Sequence, residues 1–521
     1  MLSHTPILII AIPLLSGFII PLLGKISKRL LRGVVFTSVF INLGFISWLA
    51  TGMLGTDPTV YTLGAKSPSL ALPSGYSVPV RIVLQIDNLS ILMSMTVGVI
   101  AVAGTLYSMS FLQDRSGETK YYSLLFILFA GMFGMVFTGD AFNMFVFLEV
   151  TSVAACGLIG FDITRGRSQE AAFKTLALYT VGALLFLFAV GLMYAQYNAL
   201  NFAYLAQQIN YGFLDKIALT LFLVSLTMKV GAVPMHMWVP DAYGEAPSSI
   251  SIILVSNTLV SLYALFRIVF TVFGISISGI TAGWFLITLG VLSIFIGVSM
   301  AFLQDRLKRL MGYCALSQVG YMLLGVGVGI ATMNNQAAFQ AYGLTALQGG
   351  IFHLVNDALY MGLLFLSAGA VIYRTGARTM NDMSGLARSM KTTSIYTLIG
   401  IGAIAGIPPL NGFASKLMLY ESTFQFNPLL SVIAIIASIM TLAVLAKAFY
   451  SSFLGPKLEG SETHDRIPMT MSVGMVLLCI LIIFIGLFPN LVVDNVVEPA
   501  ARSLINQSQY IDAVMATAGG V

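Results

Sequence analysis

Three basic residues, Lys229, Arg267 and Lys416, and three acids, Glu149, Asp357 and Glu421, fall within or at the ends of long apolar runs of this sequence. A charged side chain at the centre of a membrane helix costs about 3 kcal/mol on insertion scales, so retaining several implies pairing, hydration or function, and an ion pathway is the default reading. Glu149, in FNMFVFLEVTSVAACGLIG, has apolar or small residues on both sides and lies too deep to reach either surface; its bland alternative is a structural ion pair. Lys229 lies five residues before Pro234, with Gly231 between them. The missing proline N–H and the glycine break a helix there, and broken helices at depth line hydrated cavities. Burial disfavours the lysine's charge and a nearby carboxylate restores it, which is what a proton relay between Glu149 and Lys229 requires. A snorkelling lysine is the alternative.

Lys416 repeats the device, because GIPPLNGFASK puts Pro408, Pro409 and Gly412 just ahead of it inside another apolar run. One broken helix with a lysine in each half of the chain suggests an internal repeat of the transporter type. His353 and Asp357, in GGIFHLVNDALYMGLLF, are four residues apart and share a helix face. A lone histidine is more often a core residue, but Asp357, Asn356 and the preceding Gln348 favour a hydrated path linking the halves. His236 reads as polar lining of the first break, and Ser317 and Gln318, in LSQVGYM, as holders of water between Lys229 and His353. Arg267 and Glu421 lie towards helix ends, where snorkelling explains them equally well. The candidate ion-translocation set is therefore Glu149, Lys229, His353, Lys416, Asp357, His236, Gln318 and Ser317.

The elements that position these groups follow from composition. The 521 residues are 58% hydrophobic and only 9% charged, far from the roughly one-quarter charged of a soluble domain. Apolar stretches of about twenty residues recur, each able to cross a hydrocarbon core as a helix. They number about fourteen, from Pro6–Leu23 through Ile217–Val233 and Ile395–Tyr420 to Met469–Phe488, so the fold class is all-α and polytopic. Pro6–Leu23 lacks a basic start and a small-residue cleavage site and reads as a true span. Four segments are expected: 1–121, N-terminal helices with an external loop; 122–274 and 275–454, two repeats; and 455–521, a last helix and external tail. The stretch Gly55–Pro79, rich in Pro, Ser and Gly, has no helical period and reads as a small external cap. The tail after Asn490 is mildly polar and reads as lying along the surface.

The net charge of +5 comes from short basic clusters, not from a stripe suited to nucleic acid. Lys25, Lys28, Arg29 and Arg32, then Arg115 and Lys120, Arg165, Arg167 and Lys174, Arg306 to Arg309, Arg374 to Lys391, and Lys447, Lys457 and Arg466 occupy alternate loops and the adjoining helix ends. Lys66, Arg81, Lys216 and Arg502 alone fall on the other side. The positive-inside rule then places both termini outside a cell membrane. Cys156, Cys314 and Cys479 lie singly, without metal or disulfide spacing. No flavin fingerprint, iron–sulfur cysteine set or haem-type histidine pair is present, so no cofactor or metal is expected and redox chemistry falls to partner subunits.

Around these residues the sequence resembles the antiporter-like subunits shared by Mrp-type Na+/H+ antiporters, respiratory complex I and group 4 membrane-bound hydrogenases. The resemblance rests on FNMFVFLEV, KVGAVPMHMWVPDAYGEAP, YALFR, DRLKRLMGYCALSQVGYMLLG, FHLVNDALYMGLLFLSAGA, MSGLARSM and GIPPLNGFASK, and covers most of the chain. It implies a fourteen-helix core with two inverted five-helix repeats, and Glu149, Lys229, His353 and Lys416 match the family's ion-pathway positions. It also implies partners: further antiporter-like or Mrp-type membrane subunits, a peripheral redox arm, and H+ or Na+ as the moved ion. GLLFLSAGAVIYRTGAR and the central residues look most like the Mrp D-type member, H-type in the hydrogenases, of a membrane-bound hydrogenase or a sulfur-reducing relative. Two departures stand out. The lysine usual near Leu259 or Val260 is absent, and Met361 and Asp357 replace a lysine and a second histidine.

The resulting expectation is that a change arriving from a partner breaks the Glu149–Lys229 pair, and the freed lysine passes its proton towards the centre, with Lys416 as the outer exchange site. Breaking one buried pair involves about 3 to 5 kcal/mol, against about 2.3 kcal/mol for moving a charge across 100 mV. A stand-alone transporter of a small solute also fits broken helices, but no aromatic-lined polar cluster suits a solute. A quinone-reductase subunit of complex I and a passive membrane anchor are the remaining alternatives; an anchor would lose nothing by replacing the buried charges with leucine.

Overall fold

The computed structural model describes residues 4–64, 69–71, 77–79, 81–112, 117–274, 279–456 and 467–519. Two helices open the chain, α1 (Thr5–Ile26) and α2 (Lys28–Met53). Four short strands follow: β1 (Thr59–Thr62), β2 (Ser69–Ala71), β3 (Ser77–Pro79) and β4 (Val83–Ile86). Next come α3 (Asn88–Phe111), α4 (Glu118–Phe137), α5 (Ala141–Ile159), α6 (Gly166–Tyr197) and the short α7 (Phe202–Gln208). The first broken helix is α8 (Phe213–Val230) with α9 (Trp238–Glu245). Then α10 (Ser248–Phe266) runs on as a π-helical stretch from Arg267 to Phe273, followed by α11 (Gly279–Phe302) and α12 (Leu307–Thr332). A single turn, α13 (Gln336–Ala338), leads into α14 (Leu344–Thr375), and α15 (Leu386–Ser389) is another single turn. The second broken helix is α16 (Lys391–Ala405) with α17 (Asn411–Phe426). The chain closes with α18 (Pro428–Phe449), α19 (Met469–Leu487), α20 (Pro489–Val492), α21 (Glu498–Ile505) and α22 (Gln507–Gly519).

Twelve helices among the described residues are long and apolar enough to cross a membrane, and with the two broken ones they make up the expected fourteen. They are not equivalent. Over their apolar windows α10 is 100% buried, α12 94% and α14 89%, whereas α1 is 33% buried. The central helices are therefore solvated by protein and the outer ones by lipid, and only the former can carry polar side chains without exposing them to acyl chains. Glycine sets how closely they approach. On α11, Gly283, Gly290 and Gly297 recur every seven residues, and a methyl group on Gly290 would press on the backbone of Gly320 on α12. Small residues on the contact line let two membrane helices pack backbone to backbone.

Both breaks end their first half in the same way. Gly231 and Gly406 each have φ +77°, the left-handed region that favours glycine. The next residue's N–H returns to a carbonyl five residues back, Ala232 to Thr227 (3.0 Å) and Ile407 to Gly402 (2.9 Å). This is the Schellman closure of a helix C-terminus. The proline beyond it cannot continue the helix.

The segment expected to be an irregular cap contains strands: β1 pairs antiparallel with β4, and β2 with β3. The C-terminal tail is helical and packed, not loose. Gln507 donates to the carbonyl of Thr271 (3.0 Å), Gln509 to Asp57 (2.5 Å), and Tyr510 and Val514 are buried. Basic residues from alternate loops gather at the opposite end. Arg32 pairs with Glu118, Lys174 and Arg309 with Asp241, and Arg306 and Arg378 with Glu245. Lys66, Arg115, Lys457 and Arg466 lie outside the described residues.

Candidate functional site

Lys229 occupies the last turn of α8, 2% exposed, and its ammonium reaches across to α5. It donates to the carbonyl of Leu148 (3.1 Å) and to the hydroxyl of Ser152, and lies 4.6 Å from the centre of the Tyr179 ring. Among the described residues no carboxylate oxygen comes within 4.0 Å of it, so the expected contact ion pair with Glu149 is not formed in this structure. Glu149 is half-buried, and its Oε1 is buried without a hydrogen-bond partner among the described residues. The carbonyl of Met228, in the last turn of α8, accepts from the Trp238 indole (3.1 Å) as well as from the N–H of Gly231 (3.2 Å).

Lys416 lies on the far side of its break, in α17, also 2% exposed. It donates to the carbonyl of Ile404 (2.6 Å) in the last turn of α16 and to Ser438 (2.8 Å) on α18, and lies 4.9 Å from the centre of the Tyr321 ring. Both lysines thus have the same kinds of neighbour: a backbone carbonyl, a serine hydroxyl and a tyrosine face. Lys416 further benefits from the negative end of a half-helix, an effect of roughly 0.3 to 1 kcal/mol. These holders are neutral, so the proton can leave either nitrogen without first separating it from a fixed carboxylate.

Beside Lys416 lies a buried polar cluster centred on α14: the Tyr321 ring that faces the lysine also lies 5.5 Å from the His353 ring. His353, fully buried, contacts Ser415 through Nδ1 (3.0 Å) and Gln318 through Nε2 (3.2 Å), and the Tyr360 hydroxyl lies 3.2 Å from Nε2. Ser415 immediately precedes Lys416 in the chain, so the histidine is one residue removed from the second lysine. Asn356 donates to Ser415 (3.0 Å) and to the carbonyl of Asn411 (3.1 Å), and Asn411 donates back to Asn356 (3.0 Å). These amides tie α14 to the start of α17. Asp357 is 1% exposed and, among the described residues, its Oδ1 has no hydrogen-bond partner; despite sharing a helix face with His353 it is not hydrogen-bonded to it.

The remaining sequence-derived residues divide. Gln318 joins the His353 cluster, whereas Ser317 donates to the carbonyl of Ile294 on α11 (3.1 Å) and serves helix packing. His236 lies part-exposed in the first break, with its contact to the Pro234 carbonyl (3.2 Å), and does not join the cluster. Gln348 is buried but makes no hydrogen bond to His353. Arg267 does not snorkel: it is 2% exposed, paired with Asp87 and bonded to the Tyr263 hydroxyl (2.9 Å). Glu421 is exposed. Sequence reasoning missed Ser152, Tyr179, Tyr321, Ser438, Tyr360 and Asp87.

Beyond the spans, Asp140 caps the N-terminus of α5, accepting from the N–H of Asn143 (2.8 Å), and burial lifts its carboxyl to about 6. At the basic end a cavity of about 310 Å³ is lined by Arg165, Glu245, Lys308 and Arg378, among others.

Residues 138–441 match the family model described as "NADH:quinone oxidoreductase/Mrp antiporter, TM". The chain is 30% identical to the D-type subunit of the Na(+)/H(+) antiporter of Bacillus subtilis, over 99% of this chain and 100% of that protein. It is 30% identical to the N-type subunit of NADH-quinone oxidoreductase of Desulforudis audaxviator, over 96% of this chain and 99% of that one. Its fold is similar to a chain of the membrane-bound sulfane sulfur reductase, an archaeal respiratory membrane complex, with TM-score 0.85, 26% identity and coverage of 98% and 100%.

Proposed function

The chain belongs to the NADH:quinone oxidoreductase/Mrp antiporter transmembrane family, and from that premise we propose that it is an ion-translocating membrane subunit of a larger complex. The observation that carries this reading is the pair of buried lysines at two helix breaks, the second of them beside the buried cluster around His353. Ionisable groups so deep in a membrane protein are costly, face the bundle interior or a hydrated cavity, and mark ion pathways.

Ser152 stands three residues from Glu149, and such positions lie about 5 to 6 Å apart on one helix face. A rotation of the Lys229 side chain therefore exchanges a hydroxyl for a carboxylate. The hydroxyl-bound conformation is, in this reading, the state in which the lysine has left Glu149. A neighbouring membrane subunit that alters the charge at half-buried Glu149 shifts this equilibrium and drives the proton inwards. The complex sits in the cell membrane with its basic end at the cytoplasm and both termini outside, as the positive-inside rule requires. Redox chemistry, where the parent complex has any, belongs to a peripheral arm.

In the assembled complex, Lys229→Ala or Glu149→Gln is expected to abolish ion transport in membrane vesicles while leaving assembly intact. Undiminished transport in both variants refutes the assignment.

A further inference from the structure

The cavity of about 310 Å³ at the basic end plays no part in the ion pathway described above, and neither Lys229, Lys416 nor His353 lines it. Three cations face it, Arg165, Lys308 and Arg378, against two carboxylates, Asp162 and Glu245. Both carboxylates are already matched. Asp162 pairs with Arg165 (2.9 Å), and Glu245 is held by Arg306 and by Arg378 (3.3 Å). That leaves the Lys308 ammonium, on a residue 5% exposed, with no carboxylate oxygen within 4.0 Å among the described residues. It donates to the Ala246 carbonyl. An ammonium has three N–H donors, so the others are left for whatever enters the cavity. A buried cation is costly unless it is paired.

The backbone adds to this field. Ser248, also on the cavity wall, is the first residue of α10, and the Pro247 before it supplies no side-chain cap. The free N–H groups of a helix start carry the positive end of its dipole and bind oxyanions. The last turn of α14 forms another part of the wall, where the Ile372 carbonyl accepts from the Gly376 N–H (2.9 Å). Phe111, Ile372 and Tyr373 give the cavity an apolar side.

We propose that this cavity binds a phosphate group, carried either by the headgroup of an anionic membrane lipid or as free phosphate. Its donors come from separate elements: Arg165 before α6, Lys308 at the start of α12, Arg378 after α14, and the N-terminus of α10. A flat carboxylate meets donors in one plane, whereas a tetrahedral phosphate offers oxygens in all these directions. Guanidinium forks engage phosphate oxygens in pairs, and lysine acts as a point charge beside them. Basic pockets between membrane helices hold anionic headgroups in the same way. A phosphate seated here ties α10, α12 and α14, among the most buried helices, together at one end. The site stands apart from the ion-translocation reading and neither needs it nor tests it.

The test takes the complex containing the full chain, stripped of lipid in detergent, and follows its melting temperature. Inorganic phosphate or short-chain phosphatidylglycerol is titrated in, with potassium chloride holding the ionic strength and short-chain phosphatidylcholine as the control of zero net charge. A ligand that binds only the folded state raises the melting temperature. At least one of the two anionic probes is expected to give a saturable rise. Lys308→Gln should move the half-saturating concentration up about ten-fold or more, the scale of one lost hydrogen bond to a charged group. Arg165→Gln, at a more exposed side chain, moves it in the same direction and decides the matter if Lys308→Gln does not fold. Arg309→Gln removes the same charge from the same end at a residue that does not line the cavity, and leaves it unchanged. A rise with phosphatidylglycerol alone identifies a lipid headgroup as the occupant, and a rise with inorganic phosphate identifies the free ion as sufficient. No saturable rise with either anion, or a phosphatidylcholine effect equal to that of phosphatidylglycerol with none from phosphate, overturns the site. So does a half-saturating concentration that Lys308→Gln and Arg165→Gln leave in place or that Arg309→Gln shifts as far.

Discussion

The Lys229 ammonium binds the hydroxyl of Ser152, three residues along α5 from Glu149, and not Glu149 itself. Ser152 thereby competes with the carboxylate for the lysine. Hydrogen bonds to charged groups contribute about 1.5 to 3 kcal/mol, so Ser152→Ala tips the lysine back towards Glu149. Ion transport is expected to fall by roughly ten-fold or more, with normal assembly, whereas Ser152→Thr, which keeps a hydroxyl, retains activity. Equal rates in wild type and Ser152→Ala would show that the hydroxyl does not hold the released state.

Asp140 makes stability depend on pH in a known direction. Its carboxyl is lifted by burial from 3.8 to about 6, so the folded chain binds this proton more tightly than the unfolded one. The contribution is fully present below about pH 4 and is lost as the pH climbs through about 6, a change on the order of 2 to 3 kcal/mol. Asparagine keeps the acceptor for the Asn143 N–H and does not titrate. In detergent-solubilised protein, Asp140→Asn should flatten the fall in melting temperature between pH 4 and 7 and melt higher than wild type above pH 7. Parallel curves contradict this.

Arg267 and Asp87 are each 2–3% exposed and paired. Removing one partner of a buried pair costs about 3 to 5 kcal/mol, because the other charge is left stranded. Arg267→Met is therefore expected to be strongly destabilising. Adding Asp87→Asn, which keeps the α3 cap on the Ser90 N–H, neutralises the stranded carboxylate and should recover part of the loss. Thermal melts of the two single variants and the double variant give the coupling. Strict additivity would mean that the two charges do not sense one another.

How much of this was legible in the sequence depended on contrast. Lys229, Lys416 and His353 stand out because an ionisable group in an apolar run is costly wherever it points. The breaks stand out because glycine and proline interrupt a helix by covalent geometry alone. Ser152, Tyr179, Ser438 and Tyr321 do not stand out: hydroxyls and rings occur throughout such runs, and only the fold brings them to a lysine. For the same reason charge suggested Glu149 as the partner where the structure supplies a serine. Ser317 and Gln318 are sequence neighbours on one helix, so their different directions become visible only when α11 and α14 are in place. The strands β1 to β4 were hidden by brevity and by a composition that reads as loop.

The breaks themselves can be tested through glycine. Gly406 has φ +77°, and a methyl group there would stand 3.2 Å from Cδ of Lys416. Gly406→Ala thus combines about 1 kcal/mol or more of left-handed strain with pressure on the lysine that the half-helix end holds in place. Gly44, in α2, is the control: its φ is ordinary and nothing lies within 4 Å of the added methyl. Alanine there removes glycine's helix penalty, worth up to about 1 kcal/mol. The expected result is that Gly44→Ala leaves transport unchanged and melting equal or higher, while Gly406→Ala lowers both melting temperature and transport. Lowered melting with full transport in Gly406→Ala would mean that the exact seat of Lys416 against the Ile404 carbonyl does not matter for ion movement.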